Sequence, residues 1–220
     1  MRRLFKFMAA GIAVLVSGVA IYETWRVFDA RAETRALIDQ RVAAARAQNI
    51  ALSPQRIGIL LKVEDPTFYE NLGYDFRTPG AGWTTLTQGL AKRLYFDGFK
   101  PGFEKIELIL IARFALTPLA SKDEILTAAL STAYLGRHDG KPVIGFAEAA
   151  QAWFGHPLEQ LSDDDFIALV AMLVAPDRLD PVRHPAELAE RVARIKRLIA
   201  DACVPAGWRD VALDGCAEED

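Results

Sequence analysis

Apolar positions recur along most of this chain at helical spacing, but the first stretch has no polar face at all. After Arg2, Arg3 and Lys6, the run from Phe7 to Tyr22 carries no charge. With Leu4 and Phe5 it reaches the length of a short transmembrane helix, and Tyr22 and Trp25 fall where a far headgroup layer would lie. The three preceding basic residues place the N-terminus in the cytoplasm and the remainder outside. A cleavable signal peptide is the competing reading, because Gly18-Val19-Ala20 offers small residues at a cleavage site. Residues 26 to 48 are rich in helix formers, with Leu37, Val42 and Ala45 among regularly spaced charges, and predict a helical stalk. Ser53 and Pro54 then form a helix start, cap and first helical position, leading into Ile57, Ile59, Leu60 and Leu61. Glu64 therefore falls at a helix C-terminal end, just before Pro66.

Thr78 to Gly82 is a loop by composition. The stripe Leu86, Leu90, Leu94 predicts a helix from Thr84 to Tyr95 with Thr84 as its cap. After a loop from Asp97 to Gly102, Phe103 to about Leu116 is apolar on every side and predicts a central, buried helix that Pro118 terminates. Ser121-Lys122-Asp123-Glu124 is a capping box opening a helix to about Leu135. Helices follow over residues 146 to 155 and 162 to 174, the second capped by Ser162 with Asp163, Asp164 and Asp165 in its first turn. A last helix runs from Pro185 to Ala202. No strand-period segment and no repeat stands out, so the fold class is mainly α. The implied organisation is a membrane anchor (1–25), a helical stalk (26–52), a folded domain (53–202) and a C-terminal tail (203–220).

Charge excludes one class of partner: 26 Lys and Arg against 29 Asp and Glu give a net charge of −3, and no basic field for nucleic acid exists. The two cysteines, Cys203 and Cys216, lie in the tail and form either a loop-closing disulfide or two unpaired thiols. His138, His156 and His184 are widely spaced without a close ligand partner, so no metal site is read from them. No nucleophile elbow, phosphate loop or dinucleotide fingerprint is present, which argues against serine hydrolase, nucleotide hydrolase and dehydrogenase chemistry. The remaining chemistry sits in residues 64 to 92. Glu64-Asp65 is either a helix-terminal turn or a general base whose pKa the apolar lead-in Ile59 to Val63 would raise. Thr84, Thr85, Thr87 and Gln88 are either capping and surface groups or sugar contacts, and Lys92 is either a surface lysine or an anion contact.

Taken in order, these groups resemble the motifs of the peptidoglycan glycosyltransferases (family 51), found in bifunctional penicillin-binding proteins and monofunctional transglycosylases. The family's E-D-x-x-F-x-x-H-x-G is matched by Glu64, Asp65, Phe68, Asn71 and Gly73. Its G-x-S-T-x-T-Q-Q-x-x-K-N is matched by Gly82, Thr84, Thr85, Thr87, Gln88, Gly89, Lys92 and Arg93. Further matches run through Lys122 to Leu126, Leu130, Tyr134 and Gly136, and then through Gly145, Ala149, Ala150, Trp153, Phe154 and Gly155, so that the resemblance covers about residues 54 to 200.

The resemblance implies a lysozyme-like, mainly α domain held by a single transmembrane helix on the outer, periplasmic side of the bacterial cytoplasmic (inner) membrane. Such a domain polymerises lipid II into glycan strands during peptidoglycan and cell-wall biogenesis, with a role in cell shape. Glu64 would be the general base for an inverting transfer. Lys92 and Lys105 would stabilise the departing pyrophosphate, with a divalent metal such as Mg as an optional helper. Asp65, Phe68, Thr85 and Gln88 would complete the substrate-binding set. The implied partners are lipid II, the nascent glycan strand, the membrane and a separate transpeptidase, with no nucleic acid.

Several positions depart from the family pattern. Asn71 stands for its histidine, Gly89 for its second glutamine, Arg93 and Ser131 for asparagines, and the interval from Gly73 to Gly82 is short. The family's R-K-x-x-E, which supplies a second carboxylate, aligns with Glu104-Lys105-Ile106-Glu107-Leu108. Glu107 lies one residue off, about 100° around a helix, and could act as the second catalytic carboxylate only after a register shift. Two readings follow: an active monofunctional transglycosylase, or a catalytically impaired, membrane-anchored member that binds lipid II, glycan or cell-wall partners. A lytic hydrolase using Glu64 as acid comes third. The direction in which Glu107 points separates the first two.

Overall fold

A computed structural model describes residues 2–218, with side chains from Phe5 onward. Met1, Glu219 and Asp220, which the sequence assigns to the ends of anchor and tail, lie outside the described residues. So do the side chains of Arg2 and Arg3, which carry part of the topology signal.

The chain is mainly α. Helix α1 (Arg2–Ala47) is continuous through both the segment read as anchor and the segment read as stalk. Residues 5–18 are exposed and carry no charge but that of Lys6, and α1 is the helix among the described residues that is long and apolar enough to cross a membrane. Beyond them the pattern changes: Glu23, Ala30, Thr34, Ile38 and Ala45 are buried at spacings of about one or two turns. This stripe packs along α4 (Phe103–Ile111), the π-helical turn Ala112–Leu116 that continues it, and α6 (Lys122–Thr132). The stalk segment is thus a wall of the domain.

Local signals place the other helices. In α2 (Pro54–Glu64) the Ser53 side chain accepts from Arg56 N, and Pro54 opens the helix. The predicted capping box of α6 is present, Ser121 and Glu124 each satisfying the other's backbone N–H. Ser162 caps α8 (Asp163–Met172), which is buried along most of its length and packs on α2 and on α9 (Pro185–Ile199). Between α4 and α6 lies the short α5 (Thr117–Leu119).

Four expectations need correction. The cap of α3 (Leu86–Tyr95) is Thr85, whose hydroxyl accepts from Gln88 N, and not Thr84. The segment from Phe103 is amphipathic: Glu107, Leu108 and Ile111 are buried while Phe103, Ile106 and Phe114 are exposed. Helix α6 stops at Thr132, because Ala133 turns to an extended conformation and Tyr134–His138 (β1) pairs with Lys141–Ile144 (β2) in an antiparallel hairpin. The hairpin loop is Asp139-Gly140 with positive φ at both residues, the twist that suits a two-residue hairpin turn. Finally, the tail is no loose end. Helix α7 (Phe146–Phe154) closes the core beside the hairpin, and residues 203–216 fold back onto α9, closed by a Cys203–Cys216 disulfide with a Cα separation of 5.3 Å.

Candidate functional site

Asp65, the residue that follows α2, and the first turn of α3 meet around Gly73. Its φ is +92°, and a Cβ there would lie 2.9 Å from both the Ala112 carbonyl and Thr117 Oγ1, so only glycine fits. The Gly73 carbonyl accepts from Thr85 Oγ1 at 3.0 Å and from Gln88 Nε2 at 3.1 Å. Asp65, fully buried, ties the same knot from the other side: Oδ1 accepts from Asn71 Nδ2 at 2.7 Å and Oδ2 from Leu86 N at 3.0 Å. Asn71, where the family pattern has histidine, also accepts from Gly73 N at 3.0 Å and so holds the turn. Lys122 donates to the Asn71 carbonyl at 2.8 Å and lies 4.6 Å from the Phe68 ring centre. Burial pushes the Asp65 carboxyl up to about 6, against the pull of the Leu86 N–H and the Lys122 charge.

This scaffold aims Glu64 into a cavity of about 450 Å³. Its polar lining includes Glu64, Thr84, Thr85, Lys92, Arg93 and Arg191, and its apolar walls include Leu60, Leu126, Leu130 and Phe146. Loss of water contact pushes the Glu64 carboxyl up to about 7; Arg191 opposes this and the neighbouring Asp65 adds to it. A carboxyl titrating there can accept a proton near neutral pH and pass it on. Lys105 reaches the rim, its Nζ donating to Trp83 O (2.6 Å), Gln88 Oε1 (2.8 Å) and Thr84 Oγ1 (3.1 Å). Burial, and then repulsion from Lys92, bring that amine down to about 8.

The residues singled out from sequence therefore divide. Glu64, Thr85 and Lys92 line the cavity, and Lys105 is tied to Thr84 at its edge. Asp65, Phe68 and Gln88 are buried behind it, where they hold the Glu64 turn. Glu107 is not brought to the cavity. It is 5% exposed and turned towards α1, where Oε1 accepts from Arg26 Nε at 2.7 Å, in a separate hollow with Glu23, Tyr22 and Phe103. The register shift that would aim it at Glu64 does not occur. Sequence reasoning missed Arg191, Trp83 and Val211, all of which line the cavity. Arg191 is one of three arginines on α9 (with Arg194 and Arg197) at three-residue spacing, a one-sided row that was the available signal.

Among the described residues no group of three or more His, Cys, Asp or Glu could hold a metal ion. The charged lining, one carboxylate against Lys92, Arg93 and Arg191, is a donor set for an anion and does not fit a divalent cation held by the protein.

A sequence profile of the family described as "Transglycosylase" matches residues 33–200. The chain is 31% identical over 161 residues to penicillin-binding protein 1B of Escherichia coli, a match covering 65% of this chain and 18% of that protein. It is 29% identical over 158 residues to penicillin-binding protein 1B of Vibrio cholerae, covering 66% and 20% respectively. A protein of Cupriavidus necator named as a transglycosylase is 28% identical over 169 residues, 71% of each chain. The matched stretch thus spans about a fifth of these penicillin-binding proteins. The profile begins inside α1 and takes in Glu64, the α3 cap and Arg191, so the matched part holds most of the folded domain and every cavity-lining residue named above except Val211. This chain belongs to the transglycosylase family.

Proposed function

We propose that this protein is a peptidoglycan glycosyltransferase that polymerises lipid II into glycan strands, with Glu64 as the general base of an inverting transfer. The observation that carries the reading is Glu64 itself, a carboxyl raised to about 7 in a cavity whose other charged lining groups are cations, set among threonine hydroxyls and apolar walls. In this reading the acceptor sugar's hydroxyl gives its proton to Glu64 as its oxygen attacks the donor's anomeric carbon. The bond from that carbon to the lipid pyrophosphate breaks, and the leaving group takes the electron pair. Lys92 and Arg93, with Lys105 at the rim, meet the charge that grows there, an electrostatic contribution strengthened by the low local dielectric. No step is routed through a metal. The apolar first half of α1 is read as a single-pass anchor placing the cavity on the outer side of the cytoplasmic membrane, where the substrate's lipid tail remains in the bilayer. The nascent strand, and a separate transpeptidase to cross-link it, are the partners this activity calls for.

A second reading has its own observation. Because Glu107 is engaged by Arg26, the cavity holds Glu64 as its one lining carboxylate, as expected of a member that binds lipid II or glycan without turnover. One experiment separates the two. Detergent-purified full-length protein is incubated with labelled lipid II beside Glu64→Gln, and the products are resolved by size. Polymer from the unmutated chain, reduced by about 100-fold or more in Glu64→Gln, supports the active reading. Binding without polymer, under conditions where a known family member works, selects the second.

A further inference from the structure

The C-terminal loop 203–216 lies beyond the residues that match the family, yet it forms one side of the cavity. Gly80 N donates to Gly207 O at 3.0 Å and Gly82 N to Trp208 O at 2.7 Å, which lays the loop against the segment leading into α3. The approach is so close that a Cβ on Gly82 would come within 2.4 Å of Val211. Asp210 braces the loop from inside, its carboxylate accepting from the N–H groups of Ala206, Asp214 and Gly215. From α9, Arg191 donates to Val211 O at 2.5 Å, Arg194 to Ala212 O at 3.1 Å and Arg197 to Cys216 O at 2.6 Å. Val211 and Arg191 face the Glu64 cavity on one side and a second hollow on the other, so loop and arginine form a shared partition.

Arg191 is only 7% exposed, and its Nε has no hydrogen-bond partner among the described residues. A guanidinium is costly to bury this incompletely bonded. Its charge acts on Glu64 across the cavity, and Glu64 on it.

We infer that the disulfide-closed loop 203–216 is a working wall of the site, which through the Val211 carbonyl seats Arg191 as a positioning residue in the cavity that Glu64 lines. This rests on Glu64 being the base, and Arg191 acts through Glu64. The other charged groups facing the pair are Asp65 beside Glu64, Lys92 and Arg93 across the cavity, Arg194, Asp210 and Asp214 around Arg191, and Arg178, His184, Glu187 and Glu190 in the hollow behind. With the loop closed, the guanidinium keeps Glu64 ionisable within a buried pocket. With it open, Arg191 loses its carbonyl acceptor and one wall that excludes water.

The test reads the Glu64 carboxyl directly, by a carbon-13 NMR titration of glutamate-labelled full chain in detergent, assigned with Glu64→Gln. Arg191→Met and Arg191→Gln are expected to move the Glu64 midpoint up by about one pH unit, and Arg191→Lys, which keeps the charge, to leave it near its original place. In a Cys203→Ser/Cys216→Ser background, the shift caused by Arg191→Met should shrink to about half or less, the non-additivity of coupled groups. An unchanged midpoint in Arg191→Met and Arg191→Gln, with helical circular dichroism retained, overturns the role of the arginine. Equal shifts with the loop closed and opened overturn the role of the loop. Because the titration needs no turnover, failure to make polymer from lipid II would refute the glycosyl-transfer reading and leave this result standing.

Discussion

Replacing Glu107 by Gln should weaken the fold and spare the chemistry, and the size of each effect follows from where the side chain sits. The Glu107 side chain is 7% exposed and that of Arg26 23%, so the pair is largely withdrawn from water. Truncation of such a partner strands a charge and costs about 3 to 5 kcal/mol. Glutamine can still accept from Arg26 Nε, so only the charge-assisted part of the bond is lost, about 1 to 2 kcal/mol. For a chain of this size that corresponds to a melting temperature lower by about 2 to 8 °C. Glu107→Ala should fall further, with Arg26 keeping Asp29 at 3.6 Å, and Arg26→Met should fall furthest, since it leaves the Glu107 charge buried near Glu23. Thermal melts in detergent followed by circular dichroism, run beside a lipid II polymerisation assay at a temperature where every variant is folded, measure both effects. Polymerisation by Glu107→Gln within about threefold of the unmutated rate fits a carboxylate that serves α1 packing. A loss of about 100-fold with an unchanged melting temperature would refute this reasoning and return Glu107 to the reaction.

Three further outcomes are expected. Because Glu64 must be ionised to accept a proton and its carboxyl is raised to about 7, while Lys105 at the rim loses its proton near 8, the rate should rise through neutral pH and fall again above about 8, as a pH profile of polymerisation at constant ionic strength would report. The same raised carboxyl costs stability as pH climbs from its unfolded value of about 4.5 through 7, since the folded state binds the extra proton in that window. Glu64→Gln should therefore melt higher than the unmutated chain at pH 8, by about 1 to 2 kcal/mol in stability, and match it at pH 4. Gly73→Ala forces a Cβ to 2.9 Å from a backbone carbonyl at positive φ, and should cost about 2 to 4 kcal/mol in denaturant titration while lowering activity through the displaced Thr85 and Gln88 contacts.

What was legible in the chain was what neighbours in sequence decide. Ser53 before Pro54, Ser121 with Glu124, and Ser162 before three aspartates each act within one helical turn, and each caps the helix expected of it. Thr84 and Thr85 can both cap; Thr85 does so because its hydroxyl also donates to the Gly73 carbonyl, a contact made by tertiary folding. The hairpin carried a local sign in Asp139-Gly140, but its short strands lack a clear period of two, with Gly136 in one and Pro142 in the other. Glu64 was readable because its motif and its helix end coincide. Arg191 and Val211 were not, because they reach the cavity from α9 and from a loop whose course depends on three arginines and a disulfide. Glu107 was misjudged for a similar reason: its partner sits on α1, a segment that read as a stalk with no surface to bury.

The packing of α1 also bears on the proposed reaction. A lipid-linked substrate enters at a fixed height above the bilayer, so a cavity on a free tether would meet it in many orientations, each with an entropic cost. Here residues 5–22, uncharged but for Lys6, and the stripe from Glu23 to Ala45 lie on one helix, without a linker between them. The first group spans about 27 Å at helical rise, close to the hydrocarbon thickness of a bilayer. The second is fastened to α4 and α6 by apolar contact and by Arg26–Glu107, Arg31 to the Phe114 carbonyl, and Arg35–Glu124. Once the first half is in a membrane, the second half fixes the direction in which the Glu64 cavity faces. The Arg26–Glu107 pair then takes on a role that a catalytic carboxylate could not fill: it locks the helix to the helix carrying Lys105, and so couples the anchor to the rim of the site.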